Sequence, residues 1–230
     1  MREVTVLTAT PLQQEVLVSD KRITILAVGA GAGATYSLYL KAITSKEDHV
    51  SMVYPTNKIM EVAWDNFITL FKDSLDFRVS AVSRIITLGT KKIKFTTPSC
   101  SNDIYGLRGL LLVDNAHNMP QSLLDSCVNG NFNNMIFTSK PYECAWRDPV
   151  YERGVFKGFH SSWDSALVDW VKLTKDCTKA YPKGYKSFVE VVSGYDVYDN
   201  LFLLKNNKGY TEFLEALLEK DKERLSGKWV

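Results

Sequence analysis

The residues ITILAVGAGAGAT, numbered 23–35, decide how this chain folds. The apolar and β-branched residues 23–28 are typical of a strand, three alternating glycines follow, and a helical pattern begins at Tyr36. A strand, a glycine turn and a helix N-terminus in this order cradle phosphate groups, because glycine lets the backbone approach an anion and the helix end presents free N–H groups. The common form of this loop carries a lysine before its hydroxyl residue, whereas Ala34 precedes Thr35 here. The sequence therefore predicts a phosphate-binding loop without its usual cation; the alternative is a glycine-rich turn that binds nothing.

Composition places the chain among intracellular globular proteins. Its 230 residues are 45% hydrophobic, which allows one large domain or two small ones with a sizeable core. The net charge of +2 gives no overall nucleic-acid signature, so a contact with DNA would be local. The four cysteines are widely spaced and favour free thiols. The sequence shows no signal peptide and no apolar run of membrane length, which predicts a soluble protein.

Strand and helix patterns alternate along the chain, which indicates an α/β fold with a mostly parallel sheet flanked by helices. Strands are predicted at residues 23–28, 50–54, 85–88, 93–95, 110–113, 135–138 and 155–159, and helices at residues 36–45, 59–71 and 210–225, with a helical turn after Pro120. The apolar runs 110–113 and 135–137 are expected at the centre of the sheet. The apolar side of helix 59–71 is predicted to consist of Ile59, Val62, Ala63, Phe67, Leu70 and Phe71.

Polar groups follow the ends of several predicted strands, where ligands of such sheets bind. Asp114 follows an apolar strand and is placed to hold Mg²⁺, with Thr35 supplying a hydroxyl. Asn115 stands where an acid commonly polarises the attacking water; an amide orients water but cannot accept its proton. Thr138 and Ser139 are placed to sense the terminal phosphate. The alternatives are an Asp-Asn turn at the end of one strand and a polar turn at the end of the other.

Three weaker signals stand apart from this group. Gln13 has an amide that can pair with the edge of adenine, or it is an ordinary surface glutamine. Arg108 lies between glycines and can reach a neighbouring subunit's phosphates, or it is a solvated loop residue. Lys91, Lys92 and Lys94 form a basic ridge that contacts a nucleic-acid backbone or, as the favoured interpretation, marks a solvated edge strand.

In their order and spacing these segments resemble the ATPase domain of the large terminase subunit of tailed bacteriophages, nearly from end to end. The resemblance is carried by PLQ at 11–13, RITILAVG at 22–29, YPTN at 54–57 with Trp64, GLRG at 106–109, LLVDNAHNM at 111–119, IFTS at 136–139, residues 159–166 and RLSGKW at 224–229. The stretch at 111–119 is similar to the family's Walker B element, and the stretch at 136–139 is similar to its coupling motif.

The resemblance implies an ASCE-type P-loop NTPase that uses ATP and Mg²⁺. Residues 1–160 would form the ATPase core and residues 161–230 a small helical lid region, without a nuclease domain in this chain. The nucleotide would contact Gln13, Gly29, Ala30, Gly31, Ala32, Gly33, Ala34, Thr35 and Tyr36. Thr35 and Asp114 would hold the metal, and hydrolysis and its coupling would involve Asp114, Asn115, Thr138, Ser139 and, from a neighbouring subunit, Arg108.

The implied partners are double-stranded DNA, a portal protein, the small terminase subunit and a nuclease that is separate or deleted. The chain would work as a ring of five subunits on the procapsid, in the cytoplasm of the host cell. Ala34 and Asn115 depart from the family and indicate weakened or absent hydrolysis, unless Lys21, Arg22 or Lys41 replaces the missing cation. The alternatives are a P-loop scaffold or regulatory module of a viral assembly that does not hydrolyse ATP, and a helicase-like ATPase.

Overall fold

The computed structural model describes residues 9–29, 31–139, 189–193, 195, 197–207, 209, 212 and 216. The helices are α1 (Pro11–Val18), α2 (Ala34–Thr44), α3 (Asn57–Phe71), α4 (Ser101–Tyr105), α5 (Gln121–Asn129) and α6 (Leu201–Asn206), with 3₁₀ turns at Ala116–Asn118 and Val197–Asp199. The strands are β1 (Ile23–Ala27), β2 (His49–Val53), β3 (Arg78–Ser80), β4 (Ile85–Leu88), β5 (Lys91–Thr96), β6 (Gly109–Val113), β7 (Phe132–Ser139) and β8 (Val189–Ser193).

The eight strands form one mixed sheet in the order β3-β4-β5-β2-β6-β7-β1-β8. Neighbouring strands from β5 through β2, β6, β7 and β1 to β8 pair in parallel. The strands β3 and β4 extend the β5 side of the sheet through antiparallel pairing. The hairpin between β4 and β5 turns through Gly89, whose φ of 60° suits glycine. These features confirm the predicted α/β class and its mostly parallel sheet.

The two apolar runs predicted at the sheet centre lie there. β6 is flanked by β2 and β7, and β7 is flanked by β6 and β1. Leu110, Leu111, Leu112 and Val113 are each at most 1% exposed. Strands covered on both faces bury every side chain, so they lose the polar alternation of a half-exposed strand.

The predicted face of α3 is only partly right. Thr56 caps the helix by accepting a hydrogen bond from the Ile59 amide at 3.3 Å. The buried residues are Met60, Ala63, Trp64, Phe67 and Phe71. Val62 and Leu70 are instead 56% and 50% exposed, so they do not belong to the buried face of the helix. The buried stripe packs on β5 through aromatic contacts, with the Trp64 and Phe67 ring centroids 5.2 and 5.5 Å from that of Phe95.

In the predicted basic ridge, Lys92 and Lys94 are exposed, whereas Lys91 is partly buried. The strand that carries the ridge is not at the edge of the sheet, contrary to the prediction. β5 pairs with β4 on one side and β2 on the other. The Lys91 ammonium donates to the carbonyl oxygens of Ala42, Ile43 and Ser45 at 3.1, 2.5 and 2.6 Å, and so caps the C-terminus of α2. Burial lowers the pKa of Lys91, partly opposed by the charge of Asp48.

Several sequence predictions lie outside the described residues. These are the strand at 155–159, the stretch 159–166, the segment 224–229 and most of both the region 161–230 and the helix 210–225. Within the described part, the sequence did not predict α1, α4, α6, β3 and β8, while the turn after Pro120 is the helix α5. Cys100 is exposed and Cys127 is buried, and both are free thiols. None of the helices that the structure describes is long and apolar enough to cross a membrane.

Candidate functional site

The carboxyl ends of β1, β6 and β7 open into a cavity of about 440 Å³. It is lined by Val28, Gly29, Gly31, Gly33, Ala34, Thr35, Tyr36, Tyr39, Asn66, Leu70, Asp114, Asn115, His117, Thr138, Ser139, Asn200 and Leu203. The register of the sheet explains this convergence, because Ala27 pairs with Ser139 and Val113 pairs with Phe137. Three stretches that are far apart in the chain therefore end at one edge of the sheet.

The glycine turn adopts backbone conformations that other residues rarely reach. Gly31 and Gly33 have φ values of 83° and 98°. Gly33 is the N-cap of α2 and provides no side-chain cap, so the first amides of the helix face outward with the positive end of its dipole. The helix begins at Ala34, two residues before the predicted start. Ala34 and Thr35 therefore belong to its first turn, at the mouth of the cavity.

Asp114 is the centre of the polar network in this cavity. Its carboxylate accepts hydrogen bonds from the hydroxyls of Thr35 at 2.9 Å and Thr138 at 2.6 Å, and from the Asn115 amide at 3.1 Å. Its side chain is 3% exposed, and burial raises its pKa, an effect that the three hydrogen bonds oppose. In the described part of the chain no lysine or arginine forms an ion pair with it. Among the described residues, this buried acid thus has no cationic partner.

Asn115 is held in an unusual conformation beside this acid. Its φ of 53° lies in the left-handed region, which asparagine tolerates better than most residues. Its amide also donates to the Thr138 hydroxyl at 2.8 Å, so Thr138 bonds both to the acid and to the following residue. A change at Thr138 would therefore alter the position of Asn115 relative to the cavity.

The segment after β8 contacts the glycine turn through hydrogen bonds, and no sequence pattern indicated these contacts. The Tyr195 carbonyl accepts a hydrogen bond from the Gly29 amide at 2.8 Å, and the Asn200 side chain donates to the Gly31 carbonyl at 2.8 Å. The Tyr195 hydroxyl donates to Glu15 of α1 at 2.5 Å. These contacts join residues more than 160 positions apart, so no local pattern could have revealed them.

Gln13 lies beside the glycine turn but does not line the cavity. Its side-chain oxygen accepts a hydrogen bond from the Thr10 amide at 2.9 Å, completing a capping box at the start of α1. Its amide nitrogen would lie 3.6 Å from a Cβ at Gly33. The Thr-Pro-x-Gln spacing is a signal for this helix start that the sequence already contained. Ala32 is buried in the same turn, and Ala30 lies outside the described residues.

Arg108 lies at the amino end of the parallel strands, away from the cavity at their carboxyl ends. It precedes β6, whereas the cavity follows the end of that strand. Its guanidinium is exposed and is 2.9 Å from His49 Nε2. Gly109 has a φ of 79° and packs so closely on the His49 carbonyl that a Cβ would overlap it. Arg108 therefore does not contact the cavity of its own chain.

The three candidate replacement cations also lie elsewhere. The Lys41 ammonium donates to the carbonyls of Leu17 and Ser19 at 3.0 and 2.7 Å. The Lys21 ammonium is 3.8 Å from a carboxylate oxygen of Asp20. Arg22 precedes β1 and so lies at the amino end of that strand, whereas the cavity lies at its carboxyl end. None of the three lines the cavity.

The polar groups of the cavity fit a magnesium ion bound together with phosphate. Mg²⁺ in such sites takes one or two protein oxygens and completes its shell with water and substrate phosphates. The Thr35 hydroxyl and the Asp114 carboxylate are adjacent, and a cation would offset the cost of the buried negative charge. The described residues contain no cluster of three or more His, Cys, Asp or Glu side chains able to hold a metal ion without such a ligand.

Comparison with known proteins identifies the fold. No protein-family model and no curated protein sequence matches the chain. The large terminase of a thermophilic bacteriophage in complex with ADP is similar with a TM-score of 0.56 at 17% identity, over 96% of this chain and 53% of that one. Another structure of the same terminase gives a TM-score of 0.59 at 19% identity, over 95% and 52% of the two chains. The HK97 bacteriophage large terminase gives 0.50 at 11% identity, over 82% and 40%.

The chain thus has the fold of the ATPase domain of large terminases, as the motif resemblance predicted. It spans about half the length of the thermophilic phage terminase that it matches.

Proposed function

We propose that this chain is a terminase-like ATPase domain that binds ATP with Mg²⁺ in the cavity at the ends of β1, β6 and β7 and serves in viral DNA packaging. The observation that carries the proposal is the position of Asp114, a buried acid without a cationic partner in the described part of the chain, 2.9 Å from the Thr35 hydroxyl. The ADP complex of the thermophilic phage terminase, which has the same fold, supports a nucleotide in this cavity.

Each group in the cavity has a role in this proposal. The outward-facing amides of the first turn of α2 would bind the phosphates, and Thr35 and Asp114 would hold the metal. The metal, when bound, would neutralise charge on the phosphates and withdraw electrons from the terminal one. Thr138 would couple the state of the nucleotide to Asn115, because it bonds to both Asp114 and the Asn115 amide.

Slow hydrolysis follows from the same groups. Asn115 can orient a water molecule but cannot take its proton, and Ala34 supplies no charge to the phosphates. Removing one electrostatic donor from an active site costs about 10²–10³ in rate. We therefore expect ATP binding with little turnover. The missing groups favour, as a second candidate, a scaffold that binds no nucleotide at all.

The remaining assignments extend this proposal. Gln13 would contact adenine through the amide that faces Gly33. Arg108, exposed at the amino end of the parallel strands, would reach the cavity of a neighbouring subunit in a ring of five. Residues 161–230 would form a lid beyond the core of residues 1–160. The ring would act on double-stranded DNA with a portal protein and the small terminase subunit, in the cytoplasm of the host cell.

Calorimetry and an ATPase assay on the 230-residue chain test the proposal. The unaltered chain should bind ATP in the presence of Mg²⁺ and show little turnover, and the Ala34→Lys/Asn115→Glu double variant should gain turnover. The absence of any heat of binding would favour the scaffold. Binding without any gain of turnover in the double variant would show that these two positions do not limit hydrolysis.

A further inference from the structure

One face of α3 forms a wall of the candidate site. Lys58, Val62, Asn66 and Leu70 recur every four residues, which places them in one stripe about 18 Å long. All four side chains are exposed, and all four line a cavity. The exposure of Val62 and Leu70 thus has a local cause, because their stripe faces open space rather than the sheet.

The stripe connects the cavity described above to a second one. This second cavity has a volume of about 310 Å³ and is lined by Lys58, Ile59, Val62, Ala63 and Asn66 of α3. It shares Thr35, Tyr39, Asn66, Asp114 and Asn115 with the first cavity. The two spaces therefore meet at Thr35 and Asp114, the groups proposed to hold the metal.

Lys58 is the only lysine or arginine, among the residues that the structure describes, that lines either cavity. It lies in the first turn of α3, where the helix dipole adds positive potential. Its ammonium forms no hydrogen bond or ion pair with the described part of the chain, whereas those of Lys41 and Lys91 are engaged with backbone carbonyls. A long side chain with a free charge is thus available where Ala34 supplies none.

We infer that Lys58 contacts the terminal phosphate of bound ATP and replaces the cation that the glycine turn lacks. This inference rests on the proposed function, because it requires a triphosphate in the first cavity with its terminal phosphate towards Asp114. A lysine placed beyond Asp114 and Asn115 adds charge to the terminal phosphate and not to the inner ones. The chain should therefore distinguish ATP from ADP through Lys58.

The test compares Lys58→Ala with Lys72→Ala, which removes an exposed lysine about 21 Å away at the other end of the same helix. Calorimetric affinities are measured for a non-hydrolysable ATP analogue and for ADP, each with Mg²⁺. Lys58→Ala should weaken the ATP analogue about 10- to 100-fold, the range for losing a charge-assisted hydrogen bond, and ADP less than about threefold. Lys72→Ala should change neither affinity.

A second variant separates a lost charge from a disturbed fold. Ala34→Lys introduced into Lys58→Ala should restore the affinity for the ATP analogue, because it returns a cation to the phosphates from the other side. Equal affinities of Lys58→Ala and the unaltered chain would overturn the role of Lys58 and leave the proposed function standing. Loss of binding to duplex DNA in Lys58→Ala, with both nucleotide affinities unchanged, would also overturn it and assign Lys58 to DNA. No binding by the unaltered chain would refute the proposed function and this inference with it.

Discussion

Replacing Asp114 with asparagine should separate the stability of the protein from its ability to bind nucleotide. Asparagine keeps the shape of the side chain and can keep its three contacts, because the hydroxyls of Thr35 and Thr138 can donate or accept. Burial raises the pKa of Asp114, so the ionised form opposes folding at neutral pH. The neutral amide removes this cost, and the variant without ligand should be at least as stable as the parent.

The effect of ligand should be the reverse. A nucleotide at 100 times its dissociation constant stabilises the parent by about 2.7 kcal/mol, or about 5–11 °C in melting temperature for a domain of this size. An amide is a weak ligand for Mg²⁺. If it weakens binding about 100-fold, the same concentration gives about 0.4 kcal/mol, or about 1–2 °C.

Thermal melts with and without a non-hydrolysable ATP analogue and Mg²⁺ measure both effects. Asp65→Asn is the matched control, since it removes an exposed carboxylate from α3. It should leave the ligand-induced shift intact. A full shift in Asp114→Asn would show that the carboxylate does not bind the metal. A ligand-free variant less stable than the parent by about 3 kcal/mol or more would instead assign Asp114 a structural role.

Three further predictions concern the fold that supports the site. Gly109→Ala should cost roughly 2–5 kcal/mol in urea unfolding, because its Cβ would overlap the His49 carbonyl at a φ of 79°; a cost below about 0.5 kcal/mol would contradict this geometry. Burial raises the pKa of Cys127 to about 12 from 9.0. The folded protein therefore keeps the thiol protonated at a pH where the unfolded chain loses this proton, so the free energy of unfolding falls as the pH rises from 9 towards 12. Between pH 8 and 10.5 the free energy of unfolding of the parent should therefore fall by about 2 kcal/mol more than that of Cys127→Ala. Parallel pH profiles of the two proteins would refute the raised pKa of Cys127. Lys91→Met should destabilise the protein by about 1–3 kcal/mol through loss of the α2 cap, while Lys92→Met, at an exposed neighbour, should stay within about 0.5 kcal/mol; equal effects would exclude a capping role.

The sequence predicted those features that arise from local patterns. Residues 110–113 are apolar throughout because both faces of β6 are covered, and Asp114 follows them at the end where ligands of parallel sheets bind. The glycine turn was recognisable because its φ values near 83° and 98° at Gly31 and Gly33 require glycine. Local chemistry was sufficient for these elements.

Features that depend on distant contacts could not be predicted in this way. Val62 and Leu70 have the same periodicity as core residues, and only the position of α3 beside the two cavities shows that they face open space. Lys91 looks like a surface lysine on a hairpin until the C-terminus of α2 is placed against it. Asn200 contacts the Gly31 carbonyl across 169 positions of the chain. Such contacts are decided by packing, which propensity and spacing do not encode.

Ala34 stands where phosphate-binding loops usually have a lysine, and Asn115 stands where an acid is common. The two changes affect different groups of the candidate site. Ala34 lies in the first turn of α2, where the backbone amides remain available to phosphates. Asn115 stands beside the buried acid and keeps its backbone contact with Thr138. In the proposed site the first amides of α2 would bind the phosphates, whereas Asn115 cannot accept a proton from water, so we expect binding and hydrolysis to separate.

The most direct measurement is a crystal structure of the chain with a non-hydrolysable ATP analogue and Mn²⁺ in place of Mg²⁺, with the metal located by its anomalous scattering. We expect one metal peak beside the Thr35 hydroxyl and the Asp114 carboxylate, with the phosphates on the first amides of α2. Nucleotide and metal bound elsewhere on the chain, or an empty cavity at saturating nucleotide, would contradict the central claim that these groups form a site for a triphosphate and its metal.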